Sequence, residues 1–469
     1  MNRTTAYELL VLMLALLLPS CVSNKAYKRF VNKEAVRIEH SSNLTNVPIV
    51  APFLKKELRN KRVVVLGEFT HIDGSTEEAK VEVIKYLHDS LGYNILLRER
   101  GLIETDRAYR DIQGRRDSAV GVFSVYTRLL GLDINTAEYK LAKYLEKTLN
   151  TSTPLTLAGI DIYDNSAFAL AFYAEVEGLL NVYHSDYMGS KLQQSFDRLT
   201  EKGIRKRFNS QRDFDLHLKT RNVKLLHSDA RFIADFINDI LQSDKVISDK
   251  DKFRLGFYRI AVLSYADSMI SELGASKKLY KDYFTFQDTE YRDSAIARNI
   301  EFYLKAFPNE KFIISCSSFH AIKDIISINT VQEEVGTTIP FTQQISEKYP
   351  GQVYSIAFIR YTGAIGELFW PTDPPHSKVK RAAKASIEGA FASLNFTHGF
   401  LPLKKSYDYF EMGEFVMHPT FHRPMKNDWY KAYDGVYFIH TMQPTTILHR
   451  YDRLNRPPPY TIPEEWYQK

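Results

Sequence analysis

Val63-Val64-Val65-Leu66-Gly67-Glu68-Phe69-Thr70-His71 is the stretch from which the fold is read. Its first four residues are all apolar, and three are β-branched. A strand with one solvated face alternates apolar and polar residues. A run apolar on both faces suits a central strand of a sheet covered on both sides by helices. Gly67 ends the apolar run, and a carboxylate and an imidazole follow within four residues.

Working outward, further runs repeat this pattern: Ile95-Leu96-Leu97, Leu155-Thr156-Leu157-Ala158, Phe312-Ile313-Ile314, Val353 to Phe358, and Val436-Tyr437-Phe438-Ile439. Helical patterns separate them, so the expected fold class is α/β, with a mainly parallel central sheet flanked by helices. Ser75-Thr76-Glu77-Glu78 reads as a capping box with Ser75 as N-cap, and Val81, Ile84, Leu87 and Leu91 recur on one face behind it. Gly92 is placed to stop that helix. Between residues 166 and 290 strand signals vanish, and Phe168, Leu170, Tyr173, Val176 and Leu179, then Phe232, Phe236 and Ile240, follow helical spacing. The expected organisation is an α/β core over residues 47–165 and 291–469, interrupted by a helical lobe over 166–290.

Ligands of parallel sheets bind beyond the carboxyl ends of the strands. Glu68 and His71 follow the first strand, and Glu99, between Arg98 and Arg100, follows the second. Asp161 follows Gly159, and Ser317, Ser318 and His320 follow Ile314. One such residue is ordinary loop chemistry. The same chemistry at four strand ends points to a cleft. The same set (Glu68, His71, Glu99, Asp161, His320) contains residue types that ligate a divalent ion, although Glu68-x-x-His71 stands in a loop and lacks helical metal-site spacing.

The 469 residues are 44% hydrophobic and 25% charged, the balance of an ordinary globular chain. A net charge of +6 is dispersed over 62 basic and 56 acidic residues, and Lys378-Val379-Lys380-Arg381 reads as solvated surface. With no zinc-finger or RNP-like pattern, nucleic acid is not an expected partner. Residues 1–20 read as an export signal, with Arg3 ahead of the apolar run Leu9–Leu18. Leu18-Pro19-Ser20-Cys21 resembles a bacterial lipobox, which makes Cys21 the expected lipidation site, anchoring the chain to a cell-envelope membrane. Residues 21–46 read as a tether. Cys316 then has no disulfide partner, and its apolar surroundings predict a buried thiol.

Taken together, these segments resemble the erythromycin esterase family. Gly67-Glu68-Phe69-Thr70-His71 is similar to its Gly-Glu-x-x-His-Gly opening, Glu99 to the Glu after its second strand, and Gly159-Ile160-Asp161 to its Gly-x-Asp segment. Arg292-Asp293 with Asn299 resembles its Arg-Asp…Asn helix. Ser315 to His320 resembles its Trp-Ala-His-Asn-x-His segment, and Tyr433-Asp434-Gly435-Val436 its closing Tyr-Asp-Ala motif. The likeness runs from about Val50 to Leu448. It departs at Ile72, which stands for Gly, at Ser75, near an expected Glu, and at Ser317, which stands for the first His of the late motif.

The resemblance implies water attack on an ester or lactone, with His71 as general base, Glu68 and Glu99 as active-site carboxylates, and His320 as a second imidazole. Lys80 falls where the family tends to carry a basic residue. Arg98, Arg100, Lys80 or His320 is then placed to stabilise an oxyanion, while Asp161, Arg292, Asp293 and Ser317 support the site. No Gly-x-Ser-x-Gly elbow is present, which disfavours a serine hydrolase, although Ser317 and Ser318 stand close to His320. The competing expectation, suggested by Ile72 and Ser317, is a surface lipoprotein that binds a ligand in the same cleft without turnover.

Overall fold

The computed structural model describes residues 24–38, 50–71, 73–114, 134–162, 166–183, 191–204, 223–278, 287–328, 338–365, 377–419, 423–444 and 447–449. Its strands, in chain order, are β1 (Val36–Ile38), β2 (Val63–Glu68), β3 (Ile95–Gly101), β4 (Ile134–Asn135), β5 (Thr156–Asp161), β6 (Phe312–Ser317) and β7 (Val353–Ile365), followed by β8 (Ser377–Val379), β9 (His398–Pro402), β10 (Phe415–Met417), β11 (Met425–Asn427), β12 (Gly435–Met442) and β13 (Ile447–His449). One sheet has the order β1-β9-β12-β7-β2-β6-β3-β5, with β8 also paired to β7. From β12 to β5 every neighbouring pair is parallel. Only β8, β9 and β1 join antiparallel. β2 lies inside the sheet and is buried along its whole length, as its unalternating sequence requires.

Two apolar layers cover the sheet. Val64, Leu66, Leu96 and Ile313 pack with Val81, Ile84 and Leu87 of the helix Gly74–Leu91. Val63, Val65, Leu97 and Ile314 point the other way, onto Ile296, Ile300 and Leu304 of the helix Gln287–Ala306. Between β5 and β6 the described elements are all helical: Ser166–Tyr183, Lys191–Ile204, Val223–Gln242, Asp249–Lys278 and Gln287–Ala306. Their inward residues, among them Val176, Phe196, Ile233 and Leu255, join the second layer.

Two expectations change. Residues 24–38, read as part of a tether, form a helix over 24–34 and the edge strand β1. Tyr27, Phe30 and Val31, at i, i+3 and i+4, make a short apolar stripe that buries against Phe410 and Phe415. The cap of the helix Gly74–Leu91 is Asp73, whose carboxylate accepts from the Thr76 amide, and not Ser75. Ser75 instead accepts a hydrogen bond from the Gln443 amide, so its hydroxyl ties this helix to the segment after β12. Gly92 closes the helix at φ 71°, in the left-handed region. The segment 1–20, Cys21 and Ile72 lie outside the described residues, and among the described residues no helix is long and apolar enough to cross a membrane.

Candidate active site

The parallel register places the chemistry at one edge. Glu68 is level with Ser317, Arg98 with Gly159 and Ser315, and Gly101 with Asp161 after a register shift in β3. The strand ends therefore deliver Glu68, Glu99, Asp161 and Ser317 together, and the following helices supply cations.

The first group is built on the Glu68 carboxylate, which is buried beneath the loop. Oε1 lies 2.7 Å from His71 Nδ1, and Oε2 accepts from Lys80 Nζ. Lys80 is only 1% exposed; it also lies 3.4 Å from Glu77 Oε1. Burial works to raise the Glu68 pKa, but Lys80 and His71 outweigh it and hold the carboxyl below its usual range. Burial in turn works to lower the His71 pKa, yet its bond to Glu68 and the charge of Glu99 lift it above the usual histidine range. With Glu68 ionised, His71 Nδ1 carries the proton and donates it to Oε1. The His71 side chain is 49% exposed, and among the described residues nothing bonds Nε2.

The second group is built on Arg292. Its Nε and Nη2 donate to the two oxygens of Asp161 at 2.9 and 2.6 Å, and Nη2 also reaches Glu99 Oε1 at 2.7 Å. Glu99 Oε2 accepts the Ser317 backbone N–H at 2.9 Å. His320 Nδ1 lies 2.8 Å from Asp293 Oδ1, and its ring stacks on Phe341 at 5.4 Å. His320 Nε2 faces Arg292 Nη1 at 3.1 Å and Glu99 Oε1 at 3.4 Å. The first contact suits a bare nitrogen and the second a protonated one. Charge decides between them, because Glu99, Asp161 and Asp293 outnumber Arg292 and favour a cationic imidazole. Burial opposes this, but Asp293 and Glu99 carry the His320 pKa up to about 10. Burial likewise works to raise the Glu99 pKa, and His320 and Arg292 hold it well below the usual range.

Sequence reading grouped these residues as one site, and the structure sorts them by task. His71 alone among the proposed catalytic side chains is half exposed, whereas Glu68, His320 and Lys80 are buried. Arg98 faces Glu138 in a buried bidentate pair at 2.6 and 2.5 Å. Arg100 lies close enough to lower the His71 pKa. Ser317 contributes its backbone amide to Glu99, and buried Ser318 donates its hydroxyl to the Pro419 carbonyl. Burial pushes the Cys316 thiol well above its ordinary pKa, as a core residue requires. Glu138, Asp73, Phe341 and Arg360 lie outside the strand-end pattern. Arg360 alone carried a local signal, a charge closing the apolar run of β7.

Among the described residues, the carboxylates of the suggested metal-ligand set are bonded to Lys80, Arg292 and the two imidazoles. Among the described residues no three His, Cys, Asp or Glu side chains converge on a shared point.

Three solved structures superpose on nearly the whole fold. Erythromycin esterase EreC, in its open conformation, matches with a TM-score of 0.63 over 85% of this chain and 95% of its own, at 18% identity. The chain has an erythromycin esterase-like fold. A Bacillus cereus protein superposes with a TM-score of 0.68 over 91% of this chain and 99% of its own, at 13% identity. A succinoglycan biosynthesis protein does so at 0.66 over 90% and 98%, at 12% identity. In sequence, the chain is 33% identical to the putative hydrolase YbfO of Bacillus subtilis (strain 168) over 138 residues, which span 29% of each chain. No family model matches the sequence.

Proposed function

We propose that the protein is a hydrolase that cleaves a small-molecule ester or lactone by direct attack of water, with His71 as general base. The observation that carries this reading is the Glu68–His71 pair. A buried, ionised carboxylate holds one ring nitrogen at 2.7 Å and leaves the other pointing out of a half-exposed ring. The likeness in sequence to a hydrolase and in fold to an erythromycin esterase supports the same chemistry.

In this mechanism His71 Nε2 takes a proton from water as its oxygen bonds to the ester carbonyl carbon. Glu68 stabilises the imidazolium through Nδ1, and Lys80 keeps Glu68 ionised and in place. Collapse of the tetrahedral intermediate breaks the bond to the alcohol oxygen, which takes the proton back from His71. The products are a carboxylic acid and an alcohol, or a hydroxy acid from a lactone. Arg100, whose charge reaches His71, favours the oxyanion, whereas Arg292 and the cationic His320 are already balanced by Glu99, Asp161 and Asp293 and hold that side of the cleft in shape. Export and anchoring through a lipidated Cys21 place this activity at the cell envelope.

Ligand binding without turnover is favoured by one observation: Ser317 brings an amide and no imidazole to Glu99. Assaying ester and lactone substrates with the wild type and His71→Ala separates the two readings. Hydrolysis lost by about a hundredfold or more in His71→Ala supports the general base. Equal activity in both proteins rejects it, and thermal stabilisation by a substrate that is never cleaved identifies a binding protein.

A further inference from the structure

Arg360 lies in the middle of β7, three residues beyond Ala357, the partner of Gly67 on β2. Phe69, from the loop that carries His71, folds over it, with its ring centroid 3.5 Å from the guanidinium carbon. Arg360 is 1% exposed. Asp73 Oδ2 stands 3.8 Å from Nη1, a loose approach on one edge of the guanidinium. Among the described residues, Nε and Nη2 have no hydrogen-bond partner.

Those two nitrogens form one edge of the fork, where two N–H groups point the same way. Two oxygens of a carboxylate or phosphate match that edge. Elsewhere this protein fills the same edge. Arg292 Nε and Nη2 grip both oxygens of Asp161, and Arg198 Nε and Nη2 grip both oxygens of Asp229 at 2.7 and 2.6 Å. Among the described residues, only at Arg360 do both nitrogens of the edge stand buried with no acceptor. Asp73 cannot supply one by closing the remaining distance, because it approaches from the Nη1 side. A buried guanidinium with two unpaired donors is unfavourable, and an oxyanion relieves both at once. Burial shifts the Arg360 pKa down to about 10, and the charges of Asp73 and Glu388 offset that only in part.

We propose that the Nε–Nη2 edge of Arg360 is a binding subsite for a compact oxyanion, a carboxylate or a phosphate, reached when the Phe69 ring swings aside. The subsite belongs to a different strand from the Glu68–His71 pair and does not depend on the hydrolase reading. Where that reading also holds, an anionic group on the substrate would sit beneath the His71 loop.

The test is direct binding to the full chain. Sodium acetate and sodium phosphate are titrated against sodium chloride at matched ionic strength. The readouts are the melting temperature and the Nε–H resonance of Arg360 in nitrogen-15-labelled protein, assigned by its absence from Arg360→Lys. The expected result is a saturable rise in melting temperature and a saturable shift of that resonance with one or both anions. Comparing acetate with phosphate identifies which is preferred. Phe69→Ala should bind more tightly, and Arg360→Lys, which keeps the charge but lacks the fork, should bind about tenfold more weakly. Arg360→Met should lose the anion-dependent stabilisation. If Arg360→Met fails to fold, the wild-type resonance decides. No anion-specific shift in either the wild type or Phe69→Ala overturns the proposal, as does stabilisation that persists in Arg360→Met. A buried water on the same edge would give that negative result.

Discussion

Glu68 and Lys80, on a strand and on the helix that follows it, meet as a buried ion pair beneath the loop carrying His71. Each partner is almost wholly removed from water. Removing one strands the other, which typically costs about 3–5 kcal/mol, whereas removing both is far milder. Lys80→Met should therefore lose several kcal/mol in a denaturant titration, and Lys80→Met with Glu68→Gln should recover much of it. Additive losses would show that the two groups are not coupled.

The same carboxylate sets the pH at which His71 can act. Because Glu68 and Glu99 raise the His71 pKa, the imidazole must lose its proton above 6.5, its ordinary value, before it can accept one from water. The acid limb of kcat/KM should thus lie above that value. Glu68→Gln removes the principal cause, so the limb should move to lower pH even as the plateau falls. Proton NMR titration of His71 checks the shift without substrate. For stability the sign is opposite: the raised pKa contributes stability present at low pH, which is lost as pH rises through the folded value. An unmoved His71 titration in Glu68→Gln would remove Glu68 from this role.

Arg292 binds two carboxylates that lie on adjacent strands, β3 and β5. A lysine offers a point charge and no fork, so it cannot hold both oxygens of Asp161 while reaching Glu99. Arg292→Lys should destabilise the protein by about 2–4 kcal/mol, less than loss of the charge altogether. It should also reduce any ester turnover, because Glu99 and His320 lose their common neighbour. Urea unfolding and turnover measured on one preparation test both effects.

How much of this was legible in the sequence follows from range of interaction. Val63 to Leu66 and Phe312 to Ile314 are continuous apolar runs, and Val353 to Phe358 is one broken only by Ser355, so the parallel core is legible locally. β9, His398–Pro402, is short, carries Gly399 and ends in proline, and it is held in place by antiparallel pairing to β12. Nothing within the segment announces that. β1 is legible only through its partner β9 for the same reason. In the site, strand-end position identified Glu68, Glu99 and Asp161, because backbone register alone brings strand ends together. It could not separate buried from exposed roles. Arg98 and Arg100 stand two apart on β3, so alternation puts both on one face, and only the tertiary structure shows that Arg98 is held in a bidentate pair by Glu138. That pairing rests on a residue forty positions away. Ser75 offers a complete local capping pattern, whereas Asp73 caps the helix through the Thr76 amide and hydroxyl, bonds that no local spacing rule singles out.

Two glycines mark where the strand ends approach their neighbours. A Cβ on Gly159 would lie 2.2 Å from the Gly101 carbonyl oxygen, on the paired strand β3. A Cβ on Gly67 would lie 2.7 Å from the Ala321 Cβ and 2.9 Å from the Ser318 Cα. Both substitutions to alanine should destabilise by about 1–3 kcal/mol through overpacking. Gly159→Ala should be the worse, because a paired backbone carbonyl yields less readily than a methyl group. Equal stability of both variants with the wild type, by thermal unfolding, would show that these contacts relax freely.

Asp73 links the helix start to Arg360, and its ionisation supplies a distinct signature. Burial lifts its pKa from 3.8 to about 7, against the opposing pull of Arg360 and of the Thr76 amide and hydroxyl. A carboxyl that binds its proton more tightly when folded stabilises the fold at low pH. That contribution falls as pH rises from about 4 to about 7, and above that the folded state carries the full penalty of a buried charge. Asp73→Asn keeps an oxygen to accept the Thr76 amide but has no proton to lose. Its stability relative to the wild type should therefore rise with pH across that window and level off above it. Asp73→Ala should lose about 1 kcal/mol of capping as well. Ser75→Ala, which leaves the cap intact, should show neither change. Stability curves of the wild type and Asp73→Asn that run parallel from pH 4 to pH 8 would mean that the Asp73 carboxyl titrates as it does in the unfolded chain.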